Sequence, residues 1–303
     1  MVFILSGILA YFIQKIFIYY KKFDDFNHRS SHNTLATRTG GIGIFTTLLL
    51  TSLFFYFQKI ELFNYSLFIS LGIMFIVGVY DDFYRADFKL KFLLQIIVAK
   101  ILIDQGYVIS NYHGLFGLYE VPWLLAQLST VFVFLVIVNA INFIDGIDGL
   151  AITEVIKTIL LIEFLSLKFT ELSSMGFIII FSLLPLYYFN FKKKRKVFLG
   201  DGGSLLLGTI VAIYIFYLLG DQFVLSNKLV LNKTFLSILI IIYPLFDLLR
   251  VFIIRTKNGI SPFRPDKNHI HHMLQLKFKN HIIITAIIIF TQLLILFTYY
   301  NLA

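Results

Sequence analysis

The chain has no cysteine, so disulfides, thiol nucleophiles and Cys-ligated zinc are excluded. Charge is scarce: 14% of the 303 residues are Asp, Glu, Lys or Arg, against roughly 25% in soluble globular proteins. Internal repeats and low-complexity tracts are absent. What is abundant is apolar surface. Hydrophobic residues make up 58% of the chain and fall in blocks of 15–22, lengths that cross about 30 Å of hydrocarbon. The expected fold is therefore all-α: a polytopic integral membrane protein, one membrane-embedded domain over 1–303. Ten spans can be drawn, at about 2–20, 41–57, 63–80, 90–104, 122–143, 149–167, 173–189, 203–219, 234–254 and 281–300. The first has no basic flank or small-residue cleavage site, so it reads as a retained helix.

Lys and Arg are distributed asymmetrically between alternate loops. The loops at 21–40, 81–91, 144–148, 190–202 and 250–280 hold 19 of them, and the intervening set holds 4. The positive-inside rule places the rich set in the cytoplasm. The net charge of +9 is then a property of the inner membrane surface, where it meets anionic lipid headgroups, rather than a sign of nucleic-acid binding. Every dense polar cluster falls on that same side.

The central cluster lies between two apolar runs, where Asn139, Asn142, Asp145 and Asp148 recur at a spacing of three. Carboxylates at a membrane boundary are not packing residues, since a charge in a bilayer costs about 2.5–3.5 kcal/mol on insertion scales. In a continuous helix that spacing turns 300° per step, so the four converge on one ligand only if the helix ends near Gly146. A helix terminus there and a loop before Leu150 are expected.

Four further clusters accompany it. The loop at 21–41 offers Arg29, His32 and Arg38 before Gly40 and Gly41, glycines that at a helix start let phosphate approach backbone N–H groups. Asp81 and Asp82 are adjacent carboxylates followed by Lys91, suited to metal binding or to acting as a base. Asp201 lies among glycines ahead of a helix expected from Ser204, open to a bulky ligand with backbone donors nearby. His269, His271 and His272 close the set. Without cysteine or an H-x-x-x-H pair they fit phosphate contact or proton transfer better than zinc. Five carboxylates with neighbouring cations favour a hard divalent cation, and with it Mg²⁺-dependent phosphoryl transfer involving a membrane lipid.

These motifs, in this order, resemble the polyprenyl-phosphate N-acetylhexosamine-1-phosphate transferases. The match is carried by Asp81-Asp82, by Asn139-x-x-Asn142-x-x-Asp145-Gly-x-Asp148-Gly-Leu-Ala, by Phe198-Leu-Gly-Asp201-x-Gly-Ser204 and by His269-Ile-His271-His272. The resemblance implies that a UDP-N-acetylhexosamine donates its sugar 1-phosphate to undecaprenyl phosphate and releases UMP. It implies Mg²⁺, with Mn²⁺ as an alternative, on Asp201. It makes Asp81, Asp82 and His271 catalytic candidates together with Asp201. It places Arg38, Lys91, Asn142, Asp145, Asp148, Asn190, Phe198, His269 and His272 at the substrates, with Asp148 and Phe198 at the uracil. A multi-pass protein of the plasma membrane with its active site on the cytoplasmic face is expected, and a homodimer is compatible. His-Ile-His-His resembles the sugar-transferring branch, and the 29–41 loop resembles O-antigen-type initiators. Where family members carry prolines in that loop, this chain has Leu35 and Thr37. The alternatives are the pentapeptide-transferring branch of the family and, from another class, an ion-coupled transporter with polar residues at mid-span.

Overall fold

The computed structural model describes residues 1–24, 35–115, 117–226, 231–259, 261 and 268–302; Arg29, His32 and residues 264–267 lie outside them. The chain runs through α1 (Val2–Tyr19), α2 (Gly40–Phe57), α3 (Leu67–Tyr84), α4 (Phe88–Asp104), α5 (Trp123–Ile144), α6 (Leu150–Leu165), α7 (Ser173–Asn190), α8 (Gly200–Leu219), α9 (Lys233–Ile240), α10 (Ile242–Lys257), α11 (Ile270–Lys277) and α12 (His281–Leu302). Strand is minor. Strand β1 (Ala36–Thr37) pairs in parallel with β4 (Lys196–Val197), and β2 (Asn111–Leu115) forms a hairpin with β3 (Leu118–Glu120).

The helix α8 is apolar on all sides, and such a helix belongs in an interior. Residues 202–219 are all buried, and α2, α3, α5 and α6 pack around it. Lipid supplies no hydrophobic drive between helices, so close approach through small residues matters. Gly78 of α3 shows this: a Cβ there would lie 2.2 Å from the backbone oxygen of Asp201. Gly78→Ala is expected to push α3 off the start of α8, costing about 1–3 kcal/mol or more. A thermal midpoint in detergent matching the wild type would contradict this.

Among the described residues seven helices are long and apolar enough to cross a membrane, and the bent pair α9–α10 makes an eighth. The fourth and sixth expected spans are shorter than that, yet each runs the depth of the bundle: α4 ends where Gln105 donates to the Ser66 carbonyl ahead of α3, and α6 ends where Ser166 pairs with Leu225 beyond α8. The α4 helix has 17 residues and α6 has 16, about 24–26 Å at 1.5 Å per residue, at the short end of what crosses a bilayer. Two charges of α6 are buried and paired. The Lys157 ammonium donates to Glu154 at 2.5 Å and to Gln292 of α12 at 2.7 Å, and Gln292 donates back to Glu154 at 2.9 Å. The expected span at 234–254 is also broken, bent by 75° at Ile241. Pro244 is the cause the sequence supplies: it has no N–H for the carbonyl of Ile240, and its ring clashes with that carbonyl.

Candidate active site

The last turn of α3, the start of α8 and the end of α5 meet at one end of the bundle. Asp82 caps α8 from another helix. Its two oxygens accept the N–H groups of Asp201 and Gly202, each at 3.0 Å, which satisfies orphan donors at the positive end of the helix dipole. Arg38 donates to the same carboxylate at 3.1 Å and pairs with Asp24 at 2.7 Å. Asp81 points elsewhere. It accepts the Lys91 ammonium at 2.6 Å and the Ala86 N–H at 2.7 Å. The Lys91 nitrogen lies 3.6 Å from Asp201, so one cation bridges two carboxylates. The other oxygen of Asp201 accepts from Asn142 at 2.9 Å, and that amide also donates to Ser204 at 2.7 Å.

These groups open onto a cleft of about 370 Å³. Asp81, Lys91 and Asp201 form one wall; Asn139, Asn142, Phe143 and Asp145 form the next. Arg255, His269 and His272 close the third. Arg255 sits over the Phe143 ring, 6.0 Å from its centroid, and His269 donates through Nδ1 to Asp247 at 2.7 Å. The result is an oxygen-rich centre faced by fixed cations and imidazoles, a set suited to pyrophosphate.

A family model for glycosyl transferase family 4 matches residues 64–219, slightly over half of the chain and inclusive of α3, α5 and α8. A probable undecaprenyl-phosphate N-acetylglucosaminyl 1-phosphate transferase of Bacillus subtilis (strain 168) is 30% identical over 274 residues, covering 88% of this chain and 73% of that protein. The chain belongs to glycosyl transferase family 4. Undecaprenyl-phosphate alpha-N-acetylglucosaminyl 1-phosphate transferases of Escherichia coli (strain K12) and Yersinia pestis are 26% and 28% identical, each over 90% of this chain and 74% of the relative.

In this family 4 transferase not every expected residue reaches the cleft. The α5 helix ends at Ile144 and α6 begins at Leu150, as the spacing predicts, but the turn between them separates the carboxylates. Asp145 lines the cleft, whereas Asp148 faces away, held by Lys196 and by His281 at 3.0 Å. Gly149 makes this reversal with φ of 80°, a conformation open to glycine. Asn190 donates to the Val197 carbonyl at 2.9 Å and is buried, tying α7 to β4. Phe198 lies beside that strand, its carbonyl accepting from Gly40 at 2.9 Å. Asp148, Asn190 and Phe198 are therefore not among the residues that line the cleft. His271, expected among the catalytic groups, is completely buried. Its Nδ1 is 3.1 Å from the Tyr243 hydroxyl, and its Nε2 packs against Gly146. Burial holds its pKa well below the ordinary histidine value, aided by His272, His269 and His281, so it stays neutral.

Two local expectations are corrected. The helix expected from Ser204 begins at Gly200, which puts Asp201 in the first turn of α8 rather than in a loop. Gly40 and Gly41 do start α2, but their N–H groups are taken by the carbonyls of Phe198 and Leu199, both at 2.9 Å. Those donors serve the fold instead of a phosphate. Arg38 lines a separate recess of about 290 Å³ with Lys22, Asp24 and Arg85.

Asp247, Arg255 and Phe143 were not singled out by sequence. Asp247 carried a usable signal, because an ionisable residue inside an expected span is a functional candidate by default. Arg255 looked like one loop charge among several.

Burial raises the pKa of Asp145 well above its ordinary value, and the charges of Asp201, Asp82 and Asp148 add to the rise. The folded state therefore keeps this proton above the unfolded pKa, and stability falls as pH rises from about 4. Asp145→Asn should remove that loss. Its thermal midpoint relative to wild type is expected to be unchanged near pH 4 and to climb toward pH 8. A difference independent of pH would refute the assignment.

Among the described residues no three His, Asp or Glu side chains are gathered to hold a metal by themselves. Oxygen donors nonetheless dominate the cleft, and Mg²⁺ is usually bound by one or two carboxylates plus substrate phosphates. Asp201 and Asp145 fit that requirement.

Proposed function

We propose that this chain transfers an N-acetylhexosamine 1-phosphate from a UDP-sugar to undecaprenyl phosphate, releasing UMP, at the cytoplasmic face of the plasma membrane. The activities of its relatives and the 19-to-4 loop asymmetry of Lys and Arg support this reading. The observation that carries it is Lys91, set between Asp81 and Asp201 at the edge of an oxygen-lined cleft.

The reaction is a direct displacement. An oxygen of the acceptor phosphate attacks the sugar-bearing phosphorus, the bond to the bridging oxygen breaks, and UMP departs with that oxygen. Asp81 orients the acceptor phosphate and takes its remaining proton. Lys91 and Arg255 oppose the charge on the phosphoryl oxygens, and His269 and His272 offer ring nitrogens to them. Asn142 fixes the rotamer of Asp201. Mg²⁺, or Mn²⁺ in its place, would neutralise pyrophosphate charge when held by Asp201 and Asp145. Asp82 and His271 position other groups and do not meet the substrate.

The test is UMP release by the purified chain, given undecaprenyl phosphate, Mg²⁺ and a panel of UDP-sugars beginning with UDP-GlcNAc. Turnover of UDP-MurNAc-pentapeptide alone would transfer the chain to the pentapeptide branch. Chelation by EDTA is expected to abolish turnover and added Mg²⁺ to restore it. Full activity in EDTA would remove the metal from the scheme.

A further inference from the structure

We propose that Asp247 is a positioning residue whose buried carboxylate fixes the tautomer and orientation of His269, presenting Nε2 of that ring to the substrate phosphates. The proposal rests on the transferase reading above and extends it to a residue on α10.

Asp247 is completely buried, and its two oxygens do different things. One lies 2.7 Å from Nδ1 of His269, and the other accepts the N–H of Ile270, the first residue of α11, at 2.8 Å. Arg250, one turn along α10, donates to the Asn268 carbonyl at 2.6 Å and lies 3.9 Å from the Asp247 carboxylate, so it secures the same corner and offsets part of the buried charge. A carboxylate only accepts, so Nδ1 carries the hydrogen and Nε2 is left for the cleft. Neighbouring rings pack against the imidazole as well, one tilted and one stacked. Phe143 lies 5.7 Å away between centroids, and His271 stacks at 5.4 Å. His271 is in turn fixed by Tyr243 from α10.

A cap for α11 alone would not call for a charge, because Ser or Asn caps a helix as well as Asp. Burying a carboxylate costs several kcal/mol in an effective sense unless it is well paired. The charge is explained if it sustains a donor on Nδ1 while Nε2 exchanges a hydrogen bond or proton with phosphate, a carboxylate–imidazole arrangement of general use.

The experiment measures UMP release and thermal midpoint for wild type, Asp247→Asn, His269→Ala, the double variant and His269→Asn, each as the full chain in detergent. Asp247→Asn is expected to lower kcat about 100-fold with donor KM within about threefold. In the His269→Ala background it should cost less than about threefold more, because the two residues act as one unit. His269→Asn keeps a donor for Asp247 and should fold like wild type, yet lose as much turnover as His269→Ala. It also decides the matter if Asp247→Asn does not fold. Losses that multiply in the double variant, near-normal turnover of Asp247→Asn, or near-normal turnover of His269→Asn would each overturn the proposal. An inactive wild type across all UDP-sugars would instead defeat the transferase reading.

Discussion

Asp201→Asn is expected to lower turnover at least about 1,000-fold while the protein remains folded. The amide has the volume of the carboxylate and can still accept from Asn142, so the α5–α8 junction survives. What disappears is a negative charge at the point where Lys91, Asp81 and the cleft meet. Without it the site loses the oxygen donor proposed for Mg²⁺ and the counter-charge that keeps Lys91 central. UMP release and a thermal midpoint, measured on one preparation, check both halves. Near-full activity would strip Asp201 of its metal role, and a collapsed midpoint would make the loss a folding effect.

The second large effect is expected at Asp82, and it separates two neighbours in sequence. Asp82→Ala leaves the N–H groups of Asp201 and Gly202 without their acceptor and takes from Arg38 one of its two carboxylate partners. Removing a buried carboxylate with these bonds is expected to cost about 2–3 kcal/mol of stability, and turnover should fall with it as Asp201 shifts. Asp81→Asn should behave differently. Asp81 serves the cleft, so the midpoint should stay near wild type while turnover falls about 100-fold or more. Equal stability losses in the two variants would show that the pair shares one structural role.

The membrane class and the site-bearing motifs were legible because both leave short-range marks. Apolar blocks reveal helices by length alone, and carboxylates at their ends stand out against hydrocarbon. The end of α5 near Gly146 followed from the incompatibility of a three-residue spacing with 3.6 residues per turn. The direction of each side chain beyond that end did not follow. Asp148 turns away because Lys196 and His281, distant in sequence, draw it there. The glycines at 40 and 41 were misread for a similar reason: a glycine that admits a phosphate and one that admits another chain segment look alike in one dimension. Asp247 escaped notice inside an apolar run, although its burial beside His269 is among the more informative contacts in the molecule.

The cap that Asp82 places on α8 has a consequence for biosynthesis. The capping residue precedes its partner by 119 positions. At about 5–20 residues per second, α3 emerges roughly 6–24 s before the helix it completes. During that interval Asp82 has no α8 to cap, and its charge must remain in water at the end of α3. The nascent chain therefore waits with half of its reaction centre built, and that centre closes only when the most deeply buried helix slides into place.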